Sequence, residues 1–349
     1  MTTFRLPPTV LPGGEDRDVW VAGGAFTSSP VDGAEPLPGR YALPGLVDAH
    51  AHLTIDMSGT GLATASDALV SANLRAQRDA GVLLVRDIGR VRDEPLRPAG
   101  DDPDVDQAGR FLGPENGWVE GLHVATPPDR LLGTVAAQLA SGVRWVKVVG
   151  DWRHGDGMRV NYDAALLREV AELAHAGGAR LAVHATTAEA CRDAVACGAD
   201  SVEHGCMLDE PLLATMAATG VAWTPTLSAV TAPPAPDAPE RSRERHAAWV
   251  ANMREAVPHA ARLGVTVLAG TDTAPHGSIA GEVALLAAYG LDPLDALRAA
   301  TTAARAFLGA PGIEDGAPAD VVTYDADPRE DPEVLRSPAA VVRRGVRVR

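Results

Sequence analysis

Between residues 46 and 308, short apolar runs alternate with longer helical stretches, and this alternation limits the fold more than any other property of the chain. A strand followed by a helix, repeated along a chain, predicts a parallel sheet. Eight such units over about 260 residues predict an α/β fold of the (β/α)8 TIM-barrel type. An open doubly wound sheet is the alternative, but no glycine-rich phosphate-binding turn follows the first apolar run. The predicted strands span residues 46–52, 82–89, 118–124, 143–150, 180–185, 200–205, 221–227 and 265–272.

Glycine closes several of the helical stretches between these strands, as is typical of a helix C-terminus. Helices are predicted over residues 63–80, 130–141, 162–176, 188–196, 209–219, 281–289 and 293–308, and a further long helix ends near residues 263–264. Residues 90–114, which follow the second strand, contain several Asp, Pro and Gly residues and no clear helix. We therefore predict that the barrel is irregular at this unit.

Both ends of the chain lie outside the alternation. Short strand-like runs occur in "RDVWVAGGAF" and "YALPG" at the front, and in "ADVVTYDAD" and "AAVVRRGVRVR" at the back. Neither end has enough apolar residues for a core of its own. We predict that residues 1–45 and 311–349 pair into one small β-sandwich domain, with the barrel formed by residues 46–310.

Composition excludes several classes of partner. A formal net charge of −15 argues against binding of nucleic acid. With only 4 % aromatic residues, the chain also offers few rings on which the bases of a single strand could stack. We see no signal peptide and no apolar run long enough for a membrane. Cys191, Cys197 and Cys206 are odd in number and lack metal-finger spacing. We expect a cytoplasmic protein that acts on a small molecule or short peptide, with a homo-oligomer left open as its assembly.

Six residues that can bind metal ions fall on or at the ends of five predicted strands. They are His50, His52, Lys147, His184, His204 and Asp272. The carboxyl ends of barrel strands form the face that carries the active site. Residues two apart on a strand face the same side, so the two histidines of the first strand can share one metal. This conjunction predicts a metal site rather than packing.

Lys147 is the only lysine in the chain, and every other basic residue apart from the histidines is arginine. Arginine keeps its charge at any usable pH, whereas a lysine amine can lose its proton and become a nucleophile. A single lysine on the fourth predicted strand is therefore explained either by a need for a free amine or by chance.

Several motifs together resemble the amidohydrolase superfamily over nearly the whole chain. "LPGLVDAHAHL" is similar to its strand-one motif, and "GVLLVRDIG" is similar to its strand-two segment. "VEHG" and "GTD" resemble the strand-six and strand-eight motifs, and "GAPADVVTYDADP" resembles the returning strands of the family's β-sandwich. Within the superfamily, the chain most resembles the imidazolonepropionase-related and prolidase-like branch.

The resemblance implies two divalent metal ions per chain. The buried metal would be held by His50, His52 and Asp272, and the more exposed one by His184 and His204. Zinc is the expected metal for such nitrogen and oxygen ligands, with manganese or iron as alternatives.

The resemblance also implies a role for Lys147. Members with a lysine at the end of strand four carboxylate it with CO2, and the resulting carbamate bridges the two metals. Only a free primary amine forms such a carbamate, so arginine could not replace it. Imidazolonepropionase itself resembles a one-metal enzyme without this lysine, which argues against that activity here.

The implied function is hydrolysis of an amide (C–N) bond, most specifically in a dipeptide or an N-acyl amino acid, as in prolidase. A hydroxide bridging the metals would attack the carbonyl, and Asp272 would shuttle its proton to the leaving amine. Asp272, Lys147 and His204 are the catalytic candidates. Alternatives are hydrolysis of a carbamate, lactone or cyclic amide, a mononuclear deaminase using a glutamate such as Glu189, and a non-catalytic binding protein.

Five further residues are candidates for substrate contact. Trp152 and Arg153 follow the fourth predicted strand, and the Arg153 guanidinium could bind a substrate carboxylate. His123 ends the third predicted strand, and His276 follows the eighth. Trp223, in the seventh strand, is expected to shape the pocket.

Overall fold

A computed structural model of the chain describes residues 2–59, 61–155 and 157–349. The strands that position the candidate site residues pair in parallel and are numbered β1 to β7 in chain order. β2 pairs with both β1 and β3, and β4 to β7 pair successively. Their bounds are Leu46–Ala51 (β1), Val82–Asp87 (β2), Asp104–Gln107 (β3), Trp145–Val149 (β4), Arg180–Ala185 (β5), Ser201–His204 (β6) and Ala222–Thr224 (β7).

The predicted eighth strand is an extended segment with few regular pairings. Within residues 265–272, Leu268 N donates a hydrogen bond to Trp223 O at 2.8 Å, and Ala49 N donates to Ala269 O at 2.8 Å. The segment thus lies between β7 and β1. At the other edge, the residues that follow β3 bond to β4. This arrangement is consistent with a TIM-barrel-type fold.

Helices follow most of the strands. They are Asp67–Asp79 (α1), Leu131–Ala140 (α2), Ala164–Ala176 (α3), Ala188–Ala196 (α4), Glu210–Thr219 (α5), Leu227–Val230 (α6), Glu240–Leu263 (α7), Ile279–Ala288 (α8), Pro293–Ala299 (α9) and Thr302–Leu308 (α10). Ser66, Asp163, Thr187 and Asp209 each accept a hydrogen bond from the amide three residues on, which explains why α1, α3, α4 and α5 begin where they do. Among the described residues, no helix is long and apolar enough to cross a lipid bilayer.

The predicted third strand is wrong. Residues 118–123 form turns and bends, and the third strand is β3, within the stretch predicted to be irregular. Its sequence, DVDQ, is too polar to indicate a strand. Trp145 Nε1 donates to Asp106 Oδ2 at 2.9 Å, and Arg343 Nη2 donates to Asp104 Oδ1 at 2.7 Å. The carboxylates of β3 therefore accept hydrogen bonds from residues in distant parts of the chain.

Two predicted helices also differ from those observed. The helix predicted over residues 293–308 is divided into α9 and α10, because Ala300 O leaves the helical pattern and accepts a hydrogen bond from Val47 N at 2.8 Å. α1 begins at Asp67 rather than at residue 63, because Ala63–Thr64 pairs with Ile55–Asp56 as a short antiparallel ribbon.

The two ends of the chain meet in shared sheets. Tyr41–Pro44 pairs antiparallel with Val321–Tyr324, so the front and back segments contribute to one six-stranded sheet. Front-segment strands including Phe4–Arg5 and Trp20–Ala22 form a second, four-stranded sheet. One buried apolar cluster draws side chains from both sheets, including Phe4 from one and Val321 from the other. The two ends therefore share a core that neither has the apolar residues to build alone.

Candidate metal centre

All six predicted metal-binding residues line one cavity of about 200 Å³. They are His50, His52, Lys147, His184, His204 and Asp272. A larger cavity of about 670 Å³ lies at the terminal sheets, but its described lining residues include no histidine or carboxylate. The convergence of titratable groups therefore identifies the smaller cavity as the candidate site.

His50, His52 and Asp272 lie close enough to hold one metal ion. The Nε2 atoms of the two histidines are 3.2 Å apart. Asp272 Oδ1 lies 3.3 Å from His52 Nε2 and 3.8 Å from His50 Nε2. Burial acts to raise the pKa of Asp272, but the nearby His50 and His52 outweigh it and lower this pKa to about 2.

Hydrogen bonds at Nδ1 leave the Nε2 atoms of the two histidines facing each other and Asp272. His50 Nδ1 donates to Glu203 Oε2 at 2.7 Å, and His52 Nδ1 donates to Gly89 O at 3.2 Å. Burial holds the pKa of His50 well below its usual value, which keeps its ring neutral. When each ring carries its only proton on Nδ1, the two Nε2 lone pairs and the Asp272 carboxylate face one another as three acceptors. A cation satisfies all three, so these residues fit a divalent metal.

Glu203 supports His50 from behind, and the sequence did not single it out. Besides His50, the fully buried Glu203 carboxylate accepts hydrogen bonds from Arg86 Nη2 at 2.9 Å and from Ser201 Oγ at 2.5 Å. Arg86 is also fully buried, so each charge has an opposite partner. A carboxylate bonded to Nδ1 of a metal-binding histidine fixes its tautomer and ring orientation.

Lys147 lies in the same cavity without a partner. Its side chain is 1 % exposed, and Nζ has no hydrogen-bond partner among the described residues. Burial lowers the pKa of Lys147 to about 8, although Glu203 and Asp272 act in the opposite direction. A fraction of this amine is therefore neutral near neutral pH, and the neutral amine is the nucleophilic form.

His184 and His204 form the other side of the group, with ring centroids 4.5 Å apart. Burial lowers the pKa of His184 to about 3 and that of His204 well below its usual value, so both rings are neutral. His184 Nε2 has no hydrogen-bond partner among the described residues, and Asp151 Oδ1 lies 3.6 Å away. Both rings can therefore offer lone pairs to a second cation.

Strained backbone surrounds the cavity. His204, Thr226 and Asp272 have φ angles of 67°, 48° and 48°, in the left-handed region. This region costs a residue with a Cβ atom roughly 1–2 kcal/mol, and it is least favourable for a β-branched residue such as Thr226. Three such residues at the ends of β6, β7 and the 265–272 segment indicate a functional site.

Thr226 is held in place from two directions. Its Oγ1 forms a hydrogen bond with His204 Nδ1 at 2.7 Å. The buried Glu282 carboxylate of α8 accepts hydrogen bonds from the amides of Leu227 and Ser228 at 2.8 and 2.7 Å. The start of α6 is thereby anchored, and Thr226 can orient the His204 ring.

Trp152 is the one predicted substrate-contact residue that the structure brings to the described lining of this cavity. Arg153 is exposed and lines a neighbouring cavity of about 200 Å³, which Trp152 also borders. His123 does not end a strand, and its two ring nitrogens lie 3.0 Å from the carbonyl oxygens of Val119 and Pro114. This placement favours a role for His123 in holding its own loop.

Two other predicted residues lie behind the candidate ligands. Trp223 Nε1 donates to His204 O at 2.7 Å, so the indole supports the end of β6. His276 is buried, and its Nδ1 lies 3.4 Å from Gln77 Nε2 of α1. Neither lines the cavity as described. Glu189, the glutamate considered for a deaminase, is exposed at the start of α4.

The sequence reasoning missed the apolar wall of the cavity. Its apolar lining includes Ile55, Met57, Leu62, Phe111, Trp118 and Trp152. Phe111 and Trp118 stack with ring centroids 3.9 Å apart. Only 4 % of the residues in the chain are aromatic, so the closeness of Phe111 and Trp118 in sequence could have indicated an aromatic wall.

The parallel strands, with a histidine–histidine–aspartate group at their carboxyl ends, are those of an α/β protein consistent with the TIM-barrel type, with a candidate metal centre. The profile of the amidohydrolase family matches residues 41–348, and the chain belongs to this family. Membership supports the prediction that the protein is a hydrolytic enzyme.

Similar sequences agree with this assignment. An uncharacterized protein of Mycobacterium tuberculosis is 36 % identical, over 96 % of this chain and 93 % of that protein. Ochratoxinase of Aspergillus niger is 27 % identical over 238 residues, which cover 64 % of this chain and 50 % of that enzyme.

Solved structures share the fold. The crystal structure of A. niger ochratoxinase matches with a TM-score of 0.82 and 19 % identity, over 99 % of this chain and 95 % of that chain. A Xaa-Pro dipeptidase with bound methionine in the active site matches with a TM-score of 0.82 and 20 % identity, over 99 % of each chain. A prolidase complexed with N-methylphosphonate-L-proline matches with a TM-score of 0.81 and 24 % identity, over 100 % of each chain.

Proposed function

We propose that the protein is a binuclear metal-dependent hydrolase that cleaves an amide bond, with a dipeptide or an N-acyl amino acid as substrate. The observation that carries the proposal is the meeting of three possible metal-ligand groups, His50, His52 and Asp272, beside the amine of Lys147, whose Nζ has no hydrogen-bond partner among the described residues. Family membership and the prolidase-like fold neighbours support the same chemistry.

The ligands divide into two sets. His50, His52 and Asp272 would hold the more buried metal, and His184 and His204 the more exposed one. The neutral state of His50, His184 and His204 suits metal binding, because a protonated imidazole offers no lone pair. Zinc is the metal we expect, with manganese and iron as alternatives.

Lys147 would link the two sets as a carbamate. Its neutral amine adds to CO2 and releases one proton, which leaves a carbamate with two oxygen atoms. The buried Nζ has no partner of its own among the described residues, so nothing competes with this reaction. The carbamate replaces an unpaired ammonium with an anionic group that two cations can stabilise.

Asp272 would carry the proton during the reaction. When bound, the two ions would bring the pKa of a shared water into the neutral range and polarise the substrate carbonyl. The Asp272 carboxylate accepts the proton from the attacking water and passes it to the nitrogen of the leaving amine. The bond between carbonyl carbon and nitrogen then breaks, and a carboxylic acid and an amine are released. The fixed backbone of His204 and Asp272 keeps both side chains directed into the cavity.

The proposal includes the organisation of the chain. We propose that the strands close into a (β/α)8 barrel over residues 46–310, supported by the hydrogen bonds on both sides of the 265–272 segment. Residues 1–45 and 311–349 would form the β-sandwich, supported by their common apolar cluster. We further propose a cytoplasmic enzyme of small or short-peptide substrates that does not engage nucleic acid or a membrane, with a homo-oligomer left open as its assembly.

Metal content tests the site directly. The protein would be purified without chelator in the presence of bicarbonate, and its metal measured by elemental analysis. We expect close to two divalent ions per chain, falling in Lys147→Arg while the fold is kept. With [13C]bicarbonate, a carbamate carbonyl signal should appear in the native protein and be absent from Lys147→Arg. Two ions per chain in both proteins would contradict the bridging role, and no bound metal would overturn the proposal.

Activity tests the chemistry. A panel of dipeptides and N-acyl amino acids would be assayed with the zinc-loaded protein. Asp272→Asn should lose nearly all turnover, because an amide cannot accept the proton of the attacking water. Normal turnover in this variant would rule out Asp272 as the proton carrier. Glu189→Gln, on the exposed start of α4, is the control and should keep full activity.

A further inference from the structure

An arc of aromatic rings connects the two sets of candidate metal ligands. Phe111 lies 5.0 Å from the ring of His52, and Trp118 stacks on Phe111 at 3.9 Å with an interplanar angle of 21°. Trp118 lies 6.1 Å from Trp152, whose ring is 5.7 Å from His184. The three residues Phe111, Trp118 and Trp152, which we call the aromatic arc, thus follow one wall of the cavity from one ligand set to the other.

Two of the three rings of the arc are buried in close packing. Phe111 is 2 % exposed, and its ring lies so close to Gly89 that a Cβ atom there would be 2.6 Å from Phe111 Cζ. Trp118 is 9 % exposed and belongs to the same buried cluster as Phe111 and Leu122. A ring entering the cavity would therefore meet a preformed surface and would not have to order it, which favours binding.

The wall beside the arc carries no free charge. Lys147 is the only lysine or arginine among the described residues that line the cavity. In the proposed function its amine is converted to a carbamate and is not free to pair with a substrate group. Arg153 borders the neighbouring cavity instead. Ile55, Met57 and Leu62 complete the apolar lining. The group that contacts this wall should therefore be uncharged and apolar.

The size of the cavity restricts the group further. Its volume is about 200 Å³. A cavity of about 150 Å³ lined by apolar side chains holds one benzene ring. Because the metal ions and the scissile bond would occupy part of this space, a single six-membered ring is the largest group that the cavity admits beside them. Offset-stacked and edge-to-face contacts with Trp118 and Trp152 favour a flat ring over an aliphatic group of similar size.

We infer that the aromatic arc is a binding subsite for one uncharged aromatic ring next to the scissile amide, which makes aryl-substituted N-acyl amino acids or dipeptides the substrate class. This inference rests on the proposed hydrolase function for the position of the cleaved bond. The ring can belong to the acyl part or to the amine part of the substrate, and substrates with a ring on either side distinguish the two.

Three substrates test the inference on the zinc-loaded, full-length protein. N-benzoylglycine carries the ring on the acyl side, N-acetyl-L-phenylalanine carries it on the amine side, and N-acetyl-L-alanine has no ring. We expect kcat/KM for one of the aromatic substrates to exceed that for N-acetyl-L-alanine by on the order of tenfold. Trp118→Leu, which keeps an apolar side chain but removes the ring, should abolish this preference.

Two further variants make the result specific to the arc. Trp118→Phe restores a ring and should restore most of the preference. Trp249→Leu removes a partly buried tryptophan of α7 that does not border the cavity, and it should leave the preference unchanged. Equal kcat/KM values for all three substrates, or a preference that Trp118→Leu does not alter, would overturn the inference and leave the hydrolase function standing.

Binding without turnover separates this inference from the proposed function. Benzyl alcohol has an uncharged ring and no bond to hydrolyse, and 1-propanol is its aliphatic control. Saturation-transfer NMR should detect ring contact in the native protein and in Trp249→Leu, but not in Trp118→Leu. If no amide substrate is cleaved, the proposed function fails, and this binding pattern alone still supports the aromatic subsite. Benzyl alcohol that binds no better than 1-propanol would refute the subsite.

Discussion

The buried pair of Glu203 and Arg86 makes Glu203→Gln an informative substitution. Both side chains are fully buried, and the Glu203 carboxylate accepts hydrogen bonds from Arg86, Ser201 and His50. A glutamine keeps one acceptor oxygen, removes the negative charge and places an NH2 group against donors. The Arg86 guanidinium is then left without a counter-charge in a dry environment.

The cost follows from these contacts. Removing one partner of a buried ion pair costs about 3–5 kcal/mol. Because glutamine retains one acceptor oxygen, we expect a cost at the lower end of this range. The free energy of unfolding of the metal-free protein should therefore fall by about 3 kcal/mol. His50 also loses the carboxylate that fixes its tautomer, and metal affinity should fall by about 10- to 100-fold.

Two measurements check this prediction. Urea unfolding followed by tryptophan fluorescence gives the change in stability, and competition with a chromophoric chelator gives the metal affinity. Glu189→Gln is the matched control, since the same substitution at an exposed position should change neither quantity by more than about 0.5 kcal/mol. A loss of stability below about 1 kcal/mol in Glu203→Gln, with unchanged metal affinity, would refute the reasoning from the buried network.

Three other predictions follow from the same structure. Removing metal with a chelator should lower the thermal unfolding midpoint. Zinc at a hundred times its Kd should then raise the free energy of unfolding by roughly 2.7 kcal/mol. A midpoint that responds neither to the chelator nor to zinc would argue against a metal site. Gly89→Ala should destabilise the protein by about 1–3 kcal/mol, because its φ is +146° and the new methyl group meets Phe111. Gly133→Ala, in α2 with open space around it, should instead be neutral or stabilising in the same denaturation assay. Thr226→Val removes the hydroxyl group that bonds His204, so we expect about 1–3 kcal/mol of lost stability and weaker binding of the second metal by calorimetry.

The sequence alone predicted the α/β type of fold and the six candidate ligands. His50, His52, Lys147, His184, His204 and Asp272 were predicted from their places on the strands, and the structure brings all six to one cavity. The physical reason is that the two-residue period of a strand and the common edge of parallel strands are local rules. Once a strand is recognised, the position of its last residues follows without knowledge of the partners.

The third strand and the walls of the site were decided only by the tertiary structure. β3 is polar, and it is stabilised by Trp145 and Arg343 from other parts of the chain, so no local apolar pattern marks it. The aromatic arc joins residues from two separate segments, and the support of His50 depends on Glu203 and Arg86, which are far apart in sequence. Such contacts arise from packing between distant segments. A pattern read along the chain carries the residue types, but only the folded arrangement sets which of them meet.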